Sequence, residues 1–235
     1  MKSAKFVSLS QSFVHSWQEF SPDLAELFRD GDISKFSKGE VIWKTRHKCV
    51  TKCEFMVNGV LKTLVFKRYY EKRFFRYLFR PSLAAREAKG YGIVNAADIP
   101  CATLLGYGEI RHGVRLNECF LLTEYLAGTR DGEVFCPGGA LTERIDLRDE
   151  FCRQTLSMLK NLHRKNYIHG GTHPRNFLWR QSEAGDLSVI WIDLATVKRG
   201  CPGKQQLDVE NFLAPLLLKP EEAEKYRRFY LTLFN

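Results

Sequence analysis

The sequence predicts an α+β fold divided between two lobes. Segments with strand patterns come early in the chain and segments with helical patterns come late, which is the order expected of such a fold. The length of 235 residues suits one large domain or two small lobes. The composition, 44% hydrophobic and 27% charged, excludes bulk disorder and a coiled coil. We expect an N-terminal extension without an assigned role over residues 1–40, a β-rich N-lobe over 41–128 and a helical C-lobe over 129–235.

Short apolar runs predict the first strands of the N-lobe. Val41–Trp43 is the first of them, and a basic bend follows it. The next two runs, Cys49–Val57 and Val60–Phe66, flank the dipeptide Asn58-Gly59. Because both turn residues tolerate positive φ, these two runs predict a tight hairpin.

One helix and two more strands complete the predicted N-lobe. A proline at the start and the residues after it predict a helix over 81–89, and apolar residues predict strands at Leu104 and over 116–125. Residues 128–139 contain four glycines and one proline, which predicts a loop.

The C-lobe begins with a long helical pattern over residues 141–166. Apolar runs at 177–179 and 187–192 predict two short strands. The tail, 207–235, predicts one or two helices with a break near Pro220.

The chain carries an excess of positive charge. Its 36 Lys and Arg residues against 27 Asp and Glu residues give a formal net charge of +9. This balance favours an anionic partner, which could be a nucleic acid, a phosphosugar, a nucleotide or a membrane surface.

The cysteines and the apolar runs predict the cellular environment of the protein. Seven cysteines without a repeated spacing predict free thiols in a reducing environment, and we assign them no metal. The first residues lack an apolar run of about 7–15 residues, so no signal peptide is predicted. No run approaches the roughly 18 apolar residues of a membrane span, so we expect a soluble or peripheral protein.

Four polar residues stand in an informative order along the chain. Lys67 ends an apolar strand, and Glu87 lies in a helix twenty residues further on. Asn176 closes a loop after the long helix, and Asp193 follows a strand. Each residue alone has an ordinary structural explanation, as a strand end, a surface charge or a turn cap. Together they have the chain order of the protein-kinase fold.

Phosphoryl transfer explains why these residue types are needed. A lysine neutralises the α- and β-phosphates of ATP, and a glutamate holds that lysine. Asparagine and aspartate supply the hard oxygen ligands that Mg²⁺ prefers, and Mg²⁺ in turn bridges the phosphates.

Local motifs extend this order and resemble the Kdo/WaaP lipopolysaccharide core kinase family over roughly residues 40–200. The matching segments are Ser82-x-Ala-x-Arg86-Glu87, Leu104-Leu-Gly-Tyr-Gly108, Phe120-Leu-Leu-Thr-Glu-Tyr-Leu126, Ile168-His169-Gly170, Asn176-Phe177-Leu178 and Ile192-Asp193-Leu194. The family consists of small kinase-like enzymes that use ATP and Mg²⁺ to phosphorylate heptose or Kdo in the lipopolysaccharide inner core. They work at the cytoplasmic face of the bacterial inner membrane.

The resemblance implies a role for each residue of the series. Lys67 would bind phosphate with Glu87 as its partner, and Asn176 and Asp193 would bind the metal. A hinge that contacts adenine would be formed by Glu124, Tyr125 and Leu126. The implied partners are a lipid-linked core sugar and an anionic membrane surface, and nucleic acid is not expected.

Two departures from the family pattern stand out. The first is that no glycine-rich loop separates the first two strands, where Lys44-Thr-Arg-His-Lys48 stands instead. The resembled family also tends to lack this loop of the protein kinases. Basic side chains there either replace part of the amide cradle or form a solvated turn. The second is that Gly171 occupies the position of the usual catalytic aspartate, and glycine cannot accept a hydroxyl proton.

Gly171 leaves several possibilities for catalysis. His173 could serve as base or contact the γ-phosphate, or it could be an ordinary loop histidine. Asp208 could enter the site, brace the catalytic loop or lie exposed, while His169 is expected to hold that loop by hydrogen bonds. A loose transition state asks little of a base, so slow transfer is possible, as is a pseudokinase that binds nucleotide without catalysis. A kinase acting on a protein or a small molecule is a further alternative.

The segment Lys67–Arg80 combines six basic residues, six aromatic residues and one acid. We interpret it as a surface for anionic glycolipid or the membrane interface. The cations assigned to this surface are Lys72, Arg73, Arg76 and Arg80. The alternatives are a linker helix with a buried aromatic face, and a nucleic-acid surface, which would use the same chemistry.

Overall fold

The computed structural model divides the chain into two compact units. The first unit comprises Met1–Lys89 and Ala102–Tyr125, and the second comprises Gly90–Cys101 and Leu126–Asn235. The structure describes residues 5–9, 12–16, 34–57, 59–70, 77, 80–112 and 115–233. The α+β class predicted from the sequence is confirmed, while the lobe bounds given above stay predictions.

The first unit is built on an antiparallel sheet, which has seven strands within the described ranges. The strands are β1 (Lys5–Leu9), β2 (Ser12–Ser16), β3 (Glu40–Lys44), β4 (Lys48–Val57), β5 (Val60–Tyr70), β6 (Leu104–His112) and β7 (Arg115–Glu124). Their order across the sheet is β1-β2-β6-β7-β5-β4-β3. Thus β5 lies between β4 and β7, in the interior of the sheet.

The β4–β5 hairpin has the register that its two-residue turn predicts. Val57 pairs with Val60, and Gly59 adopts a φ of +74°. Asn58 lies outside the described residues. The prediction that β5 ends at Lys67 is wrong, because the strand continues to Tyr70 and its ladders with β4 and β7 continue with it.

One face of this sheet is covered by an aromatic core. Phe36, from a 3₁₀ turn over Ser34–Lys38, stacks on Phe66 with ring centroids 4.7 Å apart. Phe66 also contacts Phe120 at 5.4 Å. Because side chains alternate along a strand, Lys67 lies on the opposite face from Phe66.

Helix α1 (Leu83–Asn95) follows β5 in the described chain. Ser82 is fully buried, and its hydroxyl accepts a hydrogen bond from the Ala85 amide at 3.1 Å, which caps the first turn. The helix runs past the predicted end at Lys89 because buried residues recur at helical spacing, with Tyr91 and Val94 extending the pattern.

Over residues 126–233, the second unit combines three longer helices with short strands. The helices beyond residue 126 are α2 (Ile145–Arg164), α3 (Pro202–Leu213) and α4 (Pro220–Thr232). The strands are β8 (Arg130–Asp131), β9 (Tyr167–Ile168), β10 (Phe177–Gln181), β11 (Leu187–Trp191) and β12 (Lys198–Arg199). They form a β11-β10-β8 sheet and a β12-β9 pair. The predicted break at Pro220 is confirmed.

Two boundaries of the second unit differ from the sequence prediction. Helix α2 begins at Ile145 because the residues before it form turns, in which the Thr142 hydroxyl donates to the Cys136 carbonyl at 2.7 Å. The loop predicted over 128–139 contains β8 and a 3₁₀ turn, Gly132–Phe135. The Asp131 carboxylate caps that turn by accepting from the Glu133 amide at 2.9 Å.

All seven cysteines are free thiols, as the sequence predicts. Burial raises the pKa of Cys53 to about 12 and that of Cys119 to about 11, so both stay protonated. Among the described residues, no three His, Cys, Asp or Glu side chains are grouped to hold a metal ion. The helices within the same ranges are all too short or too polar to cross a bilayer.

Candidate active site

Lys67 is buried in the interior of the first unit's sheet. It pairs with Val50 on β4 and with Leu121 on β7, and only 6% of its surface is exposed. Its Nζ donates to the Glu87 carboxylate at 2.7 Å. A buried ammonium needs such a partner, because removing an unpaired charge from water costs several kcal/mol.

Glu87 on α1 has no exposed surface. One carboxylate oxygen accepts from Lys67, and the other accepts from the Tyr69 hydroxyl. Tyr69 and Lys67 are two residues apart on β5 and therefore share a face of the sheet. Sequence reasoning missed Tyr69, although its period-two spacing from Lys67 was a usable signal once the strand was extended.

The residues predicted to form the hinge, 124–126, lie at the end of β7. The amides of Glu124 and Tyr125 donate to the carbonyls of Thr103 and Thr63, each at 3.1 Å. Leu126 is the first residue of this stretch in the second unit, and its carbonyl accepts from the Thr129 hydroxyl at 2.7 Å. The contact of these residues with adenine stays a prediction.

In the second unit, Asp208 on α3 holds the loop that follows β9. It is 2% exposed, which rules out the exposed alternative considered above. Its carboxylate accepts from the amides of His169 at 2.6 Å and Gly170 at 2.9 Å. Its backbone carbonyl accepts from the Thr172 hydroxyl at 2.6 Å. These bonds correspond to the bracing role.

A buried histidine links the same carboxylate to the last helix. His163 Nε2 lies 3.1 Å from Asp208 Oδ2, and its Nδ1 lies 2.7 Å from the Tyr230 hydroxyl. The arrangement is satisfied when Tyr230 donates to Nδ1 and Nε2–H donates to the carboxylate. The sequence offered no signal for this contact, since 67 residues separate His163 from Tyr230.

His169 is fully buried within the loop. Its Nδ1 accepts from the Gly171 amide at 3.2 Å, and its ring lies edge-on to Trp191 at 5.0 Å. Burial lowers the pKa of His169 to about 4, so the ring is neutral near pH 7.

A backbone hydrogen bond brings Asn176 and Asp193 close together. The Asn176 carbonyl accepts from the Ile192 amide at 3.0 Å, and Asp193 is the next residue. Asp193 adopts a left-handed conformation (φ 58°, ψ 56°), which aspartate tolerates better than most residues. The Asn176 amide nitrogen donates to the Gly171 carbonyl at 2.7 Å, which turns its amide oxygen away from that carbonyl. One carboxylate and one amide oxygen fit the donor preference of Mg²⁺.

Gly171 is not a glycine that the backbone requires. Positive φ occurs at the neighbouring Gly170 (+71°) but not at Gly171. A Cβ added at Gly171 would lie 2.9 Å from the Thr196 hydroxyl and 3.8 Å from the Asn176 amide nitrogen. The His169 Nδ1 lies 3.7 Å away, so only the Thr196 hydroxyl is closer to the added Cβ than ordinary van der Waals contact.

His173 caps the 3₁₀ turn Pro174–Asn176. Its Nδ1 accepts from the Arg175 amide at 3.4 Å and lies 3.6 Å from the Glu133 carboxylate. Burial, with a contribution from Arg175, lowers the pKa of His173, so the ring is neutral near pH 7. A neutral ring that accepts at Nδ1 carries its proton on Nε2, where it donates. The two roles considered for His173, base and phosphate contact, stay predictions.

Comparison with known proteins shows the family and the fold that the chain shares. The sequence matches the model of the lipopolysaccharide kinase (Kdo/WaaP) family over residues 37–219. No curated protein matches the chain in sequence. Among solved structures, "WaaP in complex with acyl carrier protein" is similar, with a TM-score of 0.58 and 20% identity over 83% of this chain and 78% of that chain. The predicted kinase-like fold and the family resemblance are confirmed.

We expect acid to destabilise the protein through His169. An unfolded histidine takes up a proton near pH 6.5, whereas the folded ring stays neutral down to about pH 4. The unfolded state therefore binds more protons between these values. The free energy of unfolding should fall as the pH is lowered through that window, by up to about 1.4 kcal/mol per pH unit from this group.

Urea unfolding at pH 7, 6 and 5 measures this dependence. His169→Gln should show a shallower fall than the natural protein, and His47→Gln, at an exposed turn position, should keep the natural slope. Equal slopes for both variants would contradict the assignment.

Proposed function

The chain belongs to the lipopolysaccharide kinase (Kdo/WaaP) family, and we propose that it phosphorylates a sugar hydroxyl, of heptose or Kdo, in the lipopolysaccharide inner core. The observation that carries the proposal is the buried Lys67–Glu87 ion pair, 2.7 Å long, on an interior strand of the sheet. An ordinary core position would hold an apolar residue, since burying a charge pair brings little net stability. The presence of this buried ion pair is explained when the Lys67 ammonium binds an anionic ligand.

The residues present fit ATP and Mg²⁺. Lys67 would bind the α- and β-phosphates, with its ammonium oriented by Glu87 before the ligand arrives. Asn176 and Asp193 would hold Mg²⁺, which when bound neutralises the phosphate charge. Residues 124–126 would contact the adenine.

The reaction transfers one phosphoryl group. The sugar hydroxyl oxygen forms a bond to the γ-phosphorus while the bond from that phosphorus to the β,γ-bridging oxygen breaks, and ADP leaves. The hydroxyl proton passes to a phosphate oxygen or to solvent. His173 would donate from Nε2 to the γ-phosphate, which helps to place it for attack.

A second candidate function is nucleotide binding without transfer. The observation that favours it is Gly171, which places no side chain where a base would act. The backbone at Gly171 does not demand glycine, although an added Cβ would lie 2.9 Å from the Thr196 hydroxyl. The lack of a side chain at residue 171 supports a site that binds nucleotide but transfers phosphate slowly or not at all.

We further propose a peripheral location on the cytoplasmic face of the inner membrane. Of the cations assigned to the membrane surface, Arg80 is exposed in the structure. Lys72, Arg73 and Arg76 lie outside the described residues. The support for this location is the composition of the segment and the net charge of +9.

Transfer of label from γ-labelled ATP to lipid-linked core sugar tests the leading proposal. The natural protein should label the acceptor, and Asp193→Ala should reduce labelling at least about a hundredfold because a metal ligand is lost. Lys67→Ala should weaken ATP binding by about tenfold or more, measured by calorimetry. An unchanged ATP affinity would remove Lys67 from the site.

Restoring an acid at residue 171 separates the two candidate functions. Gly171→Asp combined with Thr196→Ala, which removes the nearby hydroxyl, should raise the turnover number by about 10²-fold or more if a missing base limits transfer. Thr196→Ala alone is the control and should not raise turnover. A double variant that binds ATP but transfers no faster would show that the glycine does not limit the reaction.

Charge reversal tests the membrane surface. Changing Arg73, Arg76 and Arg80 to Glu should reduce co-sedimentation with vesicles of anionic phospholipid at low salt, where screening is weak. The matched control reverses Lys62, Lys204 and Lys219, three exposed lysines elsewhere. Equal loss in both variants would attribute binding to net charge alone.

A further inference from the structure

The turn between β3 and β4 is closed by its own threonine. The Thr45 amide donates to the Lys48 carbonyl at 2.8 Å. The Thr45 hydroxyl accepts from the amides of His47 at 3.3 Å and Lys48 at 3.2 Å. Three amides of this turn are therefore satisfied within it. A cradle of backbone N–H groups, which a glycine-rich loop offers to phosphates, is not available from them.

The position of Lys48 in the ladder determines the face of the sheet on which its side chain lies. Lys48 pairs with Tyr69 in the β4–β5 ladder, and the Tyr70 amide extends the ladder by donating to the His47 carbonyl at 2.9 Å. Paired residues of an antiparallel ladder share a face. Lys48 is thus on the face of Tyr69 and Lys67, and it is a diagonal neighbour of Lys67.

Two aromatic rings position the Lys48 ammonium. Its Nζ lies 5.3 Å from the centroid of Trp43 and 5.7 Å from that of Tyr69. Tyr69 in turn donates its hydroxyl to Glu87, the partner of Lys67. A continuous series of contacts therefore runs from Lys48 to Lys67 on one face of the sheet. A lysine ammonium donates through N–H groups, so phosphate oxygens are ligands that suit a lysine at this position.

We propose that Lys48 is a second phosphate-binding residue of the nucleotide site, where it takes the place of the backbone amides of a glycine-rich loop. Its ligand is the polyphosphate chain of a nucleoside triphosphate, which Lys48 and Lys67 contact from the same face. Diagonal neighbours in a ladder are about 7–8 Å apart, a span that two lysine side chains close around one polyphosphate. The inference rests on the proposed function and adds a residue to it.

Calorimetric titration of the natural protein and of Lys48→Met tests the inference. Methionine keeps an apolar stem against Trp43 and Tyr69 while it removes the charge. We expect affinity for ATP and ADP to fall about tenfold, since charge-assisted hydrogen bonds to phosphate are lost, and affinity for AMP to change less than about threefold. Lys48→Arg, which keeps the charge and the donors, should restore ATP binding to within about threefold.

Lys44→Met is the matched comparison. It removes the same charge from the same turn, but Lys44 pairs with Cys49 and so belongs to the opposite face. Its effect on ATP affinity should stay below about threefold, as expected for a charge that acts only at a distance. Thermal unfolding midpoints of all variants confirm that each is folded.

A titration with inorganic tripolyphosphate distinguishes the failure of this inference from the failure of the proposed function. If ATP binds and Lys48→Met binds it equally well, or if Lys44→Met loses as much, the Lys48 assignment is overturned and the function stands. If tripolyphosphate binds in a Lys48-dependent manner but ATP does not bind, the phosphate site stands and the kinase function fails. If the natural protein binds neither, both are overturned.

Discussion

The carboxylate of Glu87, with no surface in contact with water, is the constraint on which the first unit depends. A buried charge is tolerated only when partners replace the lost hydration, and here an ammonium and a phenol hydroxyl do so. Both partners belong to β5, so the carboxylate holds α1 against that strand. The same contact orients the Lys67 ammonium in advance, which lowers the entropy that a ligand must overcome.

In the second unit, a buried carboxylate is stabilised by backbone amides in addition to one side chain, His163. The Asp208 carboxylate is also buried, and it accepts from two successive amides at the start of the loop. Those bonds fix the loop at Gly170, where the chain turns with positive φ. In each unit, therefore, one buried acid determines the conformation of the segment that carries the candidate chemistry.

The Lys67–Glu87 pair could be predicted from the sequence because its residues lie in elements with clear strand and helix patterns. The length of β5 could not, because the basic and aromatic residues after Phe66 suggested a surface segment. The burial of Lys67 and Tyr69 became visible only with the sheet's neighbours in place. Tyr69 was missed for the same reason.

Other features of the candidate site could not be read from the sequence at all. Gly171 was recognised as a departure, but a sequence does not reveal whether a glycine serves the backbone, and the absence of positive φ there answers that question. The link from His163 to Tyr230 joins two helices whose polar residues have many possible partners. Such a pairing depends on tertiary packing and leaves no local pattern.

The Tyr230–His163–Asp208 series has a consequence for where the folded domain ends. Burial and the neighbouring Asp208 raise the pKa of Tyr230 to about 12, so its phenol stays a hydrogen-bond donor in neutral solution. A truncation that stops within α4 before Tyr230 would leave the imidazole without that donor and open a cavity beside the acid that supports the loop. The minimal domain therefore includes α4, even though the family match ends at residue 219.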